Sequence, residues 1–195
     1  MFHHSMLLLD LMLAIGLSAA SGFRIFVPFF ALSLATSIGH LDLPSNLDWV
    51  ESPQALILFG LALTLEVISF SIPWFDHAVD IIATPTAIIA VTVLTAAIAP
   101  DMDPMIRWSL AIIAGGGTVG VTKGLMGLLR GTSTLFSGGL ANPLLAFIEL
   151  LAAIALSILA ITVPLTAGTI ALGVAGYATY RLGSLARKFW PKVST

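Results

Sequence analysis

The sequence predicts an all-α protein, a polytopic bundle of six or seven membrane segments that includes short or re-entrant helices. Three observations carry this expectation. Hydrophobic residues make up 58% of the 195 and charged residues only 9%, with a mean hydropathy of +1.05, whereas a soluble domain carries about a quarter charged residues. The apolar residues fall into runs close to membrane-spanning length. Prolines 53, 73, 100, 104 and 164 stand at or near the ends of those runs, where a missing N–H does least harm. A water-soluble enzyme and a disordered chain are excluded. So is a nucleic-acid binder, which would need a basic face that a net charge of −2 does not supply. With no cysteine there is no disulfide framework, thiolate metal site or cysteine nucleophile.

A single integral-membrane domain is expected over residues 1–195. Its first element is a broken helix pair over 7–38, Leu7–Ala20 and Ile25–Ile38. Joined, Met6–Ile38 would be a helix of 33 residues, roughly 50 Å long against a hydrocarbon core of about 30 Å. The chain is therefore expected to break near Ser21-Gly22, and the pair either spans twice or re-enters. Met1–Ser5 has no basic residue, unlike the start of a signal peptide, so the first segment is expected to stay uncleaved. A helical hairpin over 54–99 follows (Gln54–Ile72, Ile81–Ala99), then a second over 105–163 (Met105–Leu129, Leu140–Val163). Ala167–Leu182 is a closing helix, and 183–195 is a basic tail. Seven of the eight Lys/Arg fall on one side of this arrangement, with Arg107 alone on the other. That asymmetry predicts a cytoplasmic C-terminus and an N-terminus outside.

Pro28, Pro85 and Pro143 are spaced by 57 and 58 residues, and each is expected to open an apolar helix on the cytoplasmic side. The spacing fits three hairpins repeated in the same orientation with a closing helix. Three ordinary helix starts account for it as well.

Ionisable residues at membrane depth are costly and are functional candidates by default. Glu149 is the tenth residue of Leu140–Val163, and Glu66 is embedded in Leu61–Ile68. Both are candidate proton-coupling groups, the alternative being that each pairs with a base or hydroxyl and only fixes packing. Lys123 precedes the expected helix end at Leu129 by roughly two turns, and Arg130 follows it. Positions 123, 127 and 130 share a helical face, so both bases point at one volume, and Lys123 is expected to reach Glu149. The stretch Gly131–Gly139, rich in hydroxyls and glycines and followed by Asn142, is expected to expose donors at a helix start, which favours an anion. A polar cytoplasmic-side cavity for an anion or amphiphile is expected, lined by Arg24, Asp76, Asp80, Lys123, Arg130, Ser133 and Asn142. Charges on a short loop facing water are the alternative.

Other motifs carry less. Asp76 and Asp80 share a helical face, but His77 lies about 100° around from Asp76, so no metal or other cofactor is assigned. Asp101-Met102-Asp103 is expected to be an acidic loop. Gly115–Gly124 lacks the order of a phosphate loop, and Gly116, Gly120 and Gly124 instead form a small-residue face for packing. That face would meet its own bundle, a second copy or a partner membrane subunit, with the lipid bilayer as the remaining partner. No Ser–His–Asp set is placeable, so no catalytic residue is assigned.

Several motifs together are similar to one family: Gly16-Leu17-Ser18-Ala19-Ala20-Ser21-Gly22-Phe23-Arg24 with Pro28; Leu41-Asp42-Leu43-Pro44; Glu66 with Pro73, Asp76 and Asp80; and Gly131-Thr132-Ser133-Thr134 leading to Gly139 and Ala141-Asn142-Pro143. Over roughly Gly16 to Val163 the chain resembles the bacterial integral-membrane family known as domain of unknown function 4126. The resemblance implies an inner-membrane location and a polar set shared by several helices, and it supplies no activity. The chain departs from that pattern at Val67–Ser71, where the family would carry charge, so no charge relay is carried over there. A transporter or channel leads the functional readings, ahead of a structural or accessory subunit. An enzyme acting on lipid headgroups comes third, because no nucleophile–base pair is visible.

Overall fold

A computed structural model of the chain describes residues 2–69, 73–98, 102–138 and 140–189, with side chains at 7–69, 84–98, 102–138, 140–181 and 184. Every regular element among them is helical: α1 (Phe2–Phe23), α2 (Phe26–Ser37), a 3-10 helix (Ser45–Glu51), α3 (Pro53–Ser69), α4 (Pro73–Ile98), α5 (Pro104–Leu110), a π-helical turn (Ala111–Gly116), α6 (Gly117–Ser137), α7 (Asn142–Thr162) and α8 (Pro164–Phe189).

Helix α1 is the centre of the bundle and packs against α4, α6, α7 and α8. Leu13 to Ser21, Gly16 included, are buried on all sides, as expected of a helix apolar around its whole circumference. Small residues let its neighbours approach. A Cβ at Gly16 would meet those of Ala160 and Ala167, and a Cβ at Gly168 would meet Met12. Across the bundle, Phe29 and Phe59 stack at 5.6 Å between α2 and α3, and Trp49 of the 3-10 helix joins Phe59 at 6.0 Å. Leu47 and Val50 are buried beneath that short helix, and the Val50 carbonyl accepts the Ser33 hydroxyl at 2.6 Å.

The first helix does break, but at Arg24-Ile25 instead of Ser21-Gly22. Gly22 stays helical because it is a contact point: a Cβ there would run into the Thr122 side chain of α6. Gly22→Ala is expected to cost about 1–3 kcal/mol as overpacking. Thr122→Gly in the same chain should recover part of the loss, read as thermal unfolding in detergent. An unchanged transition for Gly22→Ala would contradict the close approach.

Two further expectations are corrected. Pro85 does not open a helix. Helix α4 starts at Pro73, which leaves Pro85 in its interior, where it cannot donate to the carbonyl of residue 81. Pro28 and Pro143 do lie in the first turns of α2 and α7, so the three prolines are not equivalent. Likewise the helix expected to end at Leu129 runs on to Ser137, making Pro104–Ser137 a continuous 34 residues interrupted only by the π-turn. The hydroxyls expected to be exposed at a helix start instead bond back within the helix. Thr132 donates to the Leu128 carbonyl at 3.0 Å, Thr134 to Arg130 at 2.9 Å and Ser137 to Ser133 at 2.7 Å. Termination comes at Gly138, with φ +62°, the left-handed C-cap that glycine adopts without a Cβ penalty. At the other end, the Asp103 carboxylate accepts from the Met105 N–H at 2.9 Å, so this residue of the acidic loop is also a helix cap.

Among the described residues two helices can cross a membrane by length and composition, Pro104–Ser137 and Asn142–Thr162, and a third if the 3-10 helix and α3, bent by 62°, count as one span. Leu7–Phe23, Phe26–Ser37 and Thr84–Ile98 are shorter apolar helices. Leu61, Leu65, Ile113, Leu144 and Ile148 are exposed on outward faces, which water would not tolerate in such number but lipid accepts. The helices are those of a membrane protein.

Candidate functional site: an ion cluster at the broken helix

The break in α1–α2 leaves backbone donors at the start of α2 that must be satisfied inside an apolar bundle. Glu66 of α3 does this. Its carboxylate accepts the Ile25 N–H at 2.9 Å and the Phe26 N–H at 3.1 Å. A negative charge at a helix N-terminus is also favoured by the helix dipole. Glu66 therefore holds the place an external anion takes at such a terminus, and it ties α3 to the break.

Arg24, at the break itself, turns to the second carboxylate. Its Nη2 is 3.2 Å from Glu149 Oε2, and both side chains are almost wholly buried. Arg130 of α6 grips the same carboxylate with a two-point fork, Nε to Oε1 at 3.0 Å and Nη2 to Oε2. This planar geometry makes an arginine–carboxylate pair strong and directional. Glu149 thus joins the break, α6 and α7 at one point. Arg24 and Lys123 both act through space on Glu66, so the two carboxylates share Arg24 as a common neighbour.

Sequence reasoning singled out Arg24, Lys123, Arg130, Glu66 and Glu149, and the structure gathers all five around the break. The depth of Lys123 differs from expectation. With α6 extended to Ser137, it lies about 21 Å from the helix end, not two turns from it, and its charge acts on Glu66. The backbone partners of Glu66 went unforeseen, because apolar neighbours in sequence say nothing about where a buried carboxylate finds its donors. The one available hint was the position of Arg24 beside a small-residue break.

Ser133 lies one turn beyond Arg130, inside α6 and not in a loop. Its Oγ is buried and accepts no protein hydrogen bond, and the same holds for Asn142 Oδ1, whereas Asn142 Nδ2 donates to Thr134 Oγ1 at 3.2 Å. Asp76 and Asp80 stand in the opening turns of α4, in a helix and not in the expected loop. Their side chains lie outside the described residues. No three His, Asp or Glu side chains come together among the described residues. In the glycine face, Gly116 abuts Thr92 of α4, while Gly120 and Gly124 face open space.

An all-helical membrane protein, with a buried Arg–Glu–Arg cluster and a carboxylate-capped helix break, is the class these features define. The chain belongs to the family described as domain of unknown function DUF4126, which it matches over residues 11–182. No curated protein and no solved structure matches it.

Proposed function

We propose that the protein is a small multi-pass inner-membrane carrier or channel for an anion or anionic amphiphile, with its C-terminus in the cytoplasm and six or seven membrane segments. One observation supports this best. Both carboxylates occupy positions that attract anions, Glu66 on a helix N-terminus and Glu149 between two arginines. An incoming anion would compete for the same donors, and a proton taken up by the displaced carboxylate would balance the charge. Broken helices with a terminus aimed at an anionic group are a recurrent device of secondary transporters. In this reading Arg24, Lys123, Arg130, Ser133 and Asn142 form the substrate set, with Asp76 and Asp80 beside it, and Glu66 and Glu149 couple protons.

Glu149→Gln keeps an acceptor for Arg130 but cannot titrate. In proteoliposomes, wild-type protein is expected to move an anion together with protons, while Glu149→Gln retains its fold and loses that coupling. Equal flux in the two would refute the proposed role of Glu149. A second reading, an accessory subunit, is favoured by the open faces of Gly120 and Gly124, where another helix could approach closely. Stoichiometric co-purification of a membrane partner in mild detergent, without flux from the isolated chain, would select it.

A further inference from the structure

Helix α8 outruns the helix it packs on. It starts beside Met12, where Gly168 has no room for a Cβ, and follows α1, with Ala171 packed against Ile15 and Ala19. Helix α1 stops at Phe23, whereas α8 continues to Phe189, about 15 Å farther at 1.5 Å per residue. Ala178 is the last buried residue of α8 among those described. Beyond it the helical spacing separates two kinds of residue. Positions 182, 185 and 189, two leucines and a phenylalanine, continue the row of Ala171 and Ala178. Positions 177, 181 and 188 (Tyr177, Arg181 and Lys188) form a second row, with Tyr180 and Arg187 in the row beside it. Tyr177, Tyr180 and Arg181 are exposed, and the Arg181 guanidinium lies 5.9 Å from the centre of the Tyr177 ring.

The charge at this end has one sign. Arg181, Arg187, Lys188 and Lys192 are half of the eight Lys/Arg, and no Asp or Glu follows Glu149. Tyrosines favour the level of lipid headgroups, and an exposed pair stands here next to the first of the four bases. A basic amphipathic helix that continues out of a membrane bundle is the form an anionic leaflet attracts. We infer that the last turns of α8 lie against anionic phospholipid headgroups, with the row 182–185–189 toward the acyl boundary and the basic rows toward the phosphates. An acidic protein would match the charge, but not the exposed tyrosines or the apolar row of a helix already embedded in lipid. This contact is independent of the carrier reading and would serve an accessory subunit equally.

The full-length protein is reconstituted in nanodiscs of phosphatidylcholine alone and of equal parts phosphatidylcholine and phosphatidylglycerol, and amide hydrogen exchange is followed by mass spectrometry. Exchange beyond position 181 is expected to be about tenfold slower with phosphatidylglycerol, while the middle of α1 exchanges alike in both membranes. The difference should vanish at about 1 M NaCl, where the screening length is about 3 Å. The combined variant Arg187→Gln, Lys188→Gln and Lys192→Gln should exchange in both membranes as the wild type does in phosphatidylcholine. Leu185→Ser keeps the charge and interrupts the apolar row, so it should lose part of the protection. The lipid and salt comparisons need the wild type alone, so they hold even if a variant misfolds. Equal exchange in the two membranes, or a difference that survives high salt or the triple substitution, would overturn the assignment. Protection conferred by polyglutamate but not by phosphatidylglycerol would overturn it too, and would point to an acidic protein partner instead.

Discussion

Glu149→Leu is expected to be the most damaging single substitution among the described residues. It leaves Arg24 and Arg130 facing each other with their shared anion gone. Arg24 is almost fully buried, and Arg130 retains only 19% side-chain exposure. Breaking a buried ion pair by removing one partner typically costs about 3–5 kcal/mol, because an uncompensated charge stays behind. Arg130 can relieve part of this by swinging outward, so the loss should concentrate at Arg24 and at the α1–α2 break. Removing the charge altogether, with Glu149→Leu, Arg24→Met and Arg130→Met combined, should restore much of the stability, since well-packed apolar replacements often match a buried ion cluster. Thermal unfolding of the wild type and these two variants in one detergent measures this. A triple variant less stable than Glu149→Leu alone would show that the arginines make other, more important contacts.

The second large effect is expected at Glu66. Glu66→Leu orphans the Ile25 and Phe26 N–H groups, which the carboxylate accepts at 2.9 and 3.1 Å. An unsatisfied buried donor costs about 1–3 kcal/mol, so the pair costs roughly 2–6 kcal/mol if neither finds a new acceptor. Glu66→Gln offers one acceptor oxygen for the two donors and should fall between wild type and Glu66→Leu. Amide hydrogen exchange should report the change locally, with protection lost around Ile25 and Phe26 before it is lost in the middle of α1. Unchanged protection there in Glu66→Leu would mean the break is held by something other than this carboxylate.

These sites were half legible in the sequence. A carboxylate among leucines stands out, so Glu66 and Glu149 were conspicuous, as were Arg24 and Arg130 for their rarity in an apolar chain. The all-helical class and the family resemblance were equally readable, because composition and local motifs carry them. What composition cannot show is where a side chain finds its partner. Ser21-Gly22 has the small residues of a break, yet Gly22 is small in order to admit Thr122, and the break follows at Arg24. The segment Gly131–Ser137 has the composition of a loop. In an apolar setting its hydroxyls turn back onto carbonyls of the preceding turn, and the helix continues. Pro85 resembled a helix start only because the polar residues before it masked the earlier start of α4 at Pro73.

The most direct test of the ion cluster is a double-mutant cycle between Glu149 and Arg130, with Glu149→Gln, Arg130→Gln and the two combined, read as unfolding free energy in a single detergent. With the two-point contact intact in the wild type, the double variant should be little worse than the more damaged single variant, giving a coupling of about 1–3 kcal/mol, toward the upper part of the range for residues in one polar network. Losses that simply add, within about 0.5 kcal/mol, would show that Glu149 and Arg130 do not depend on each other, and would contradict the cluster on which the proposed function rests.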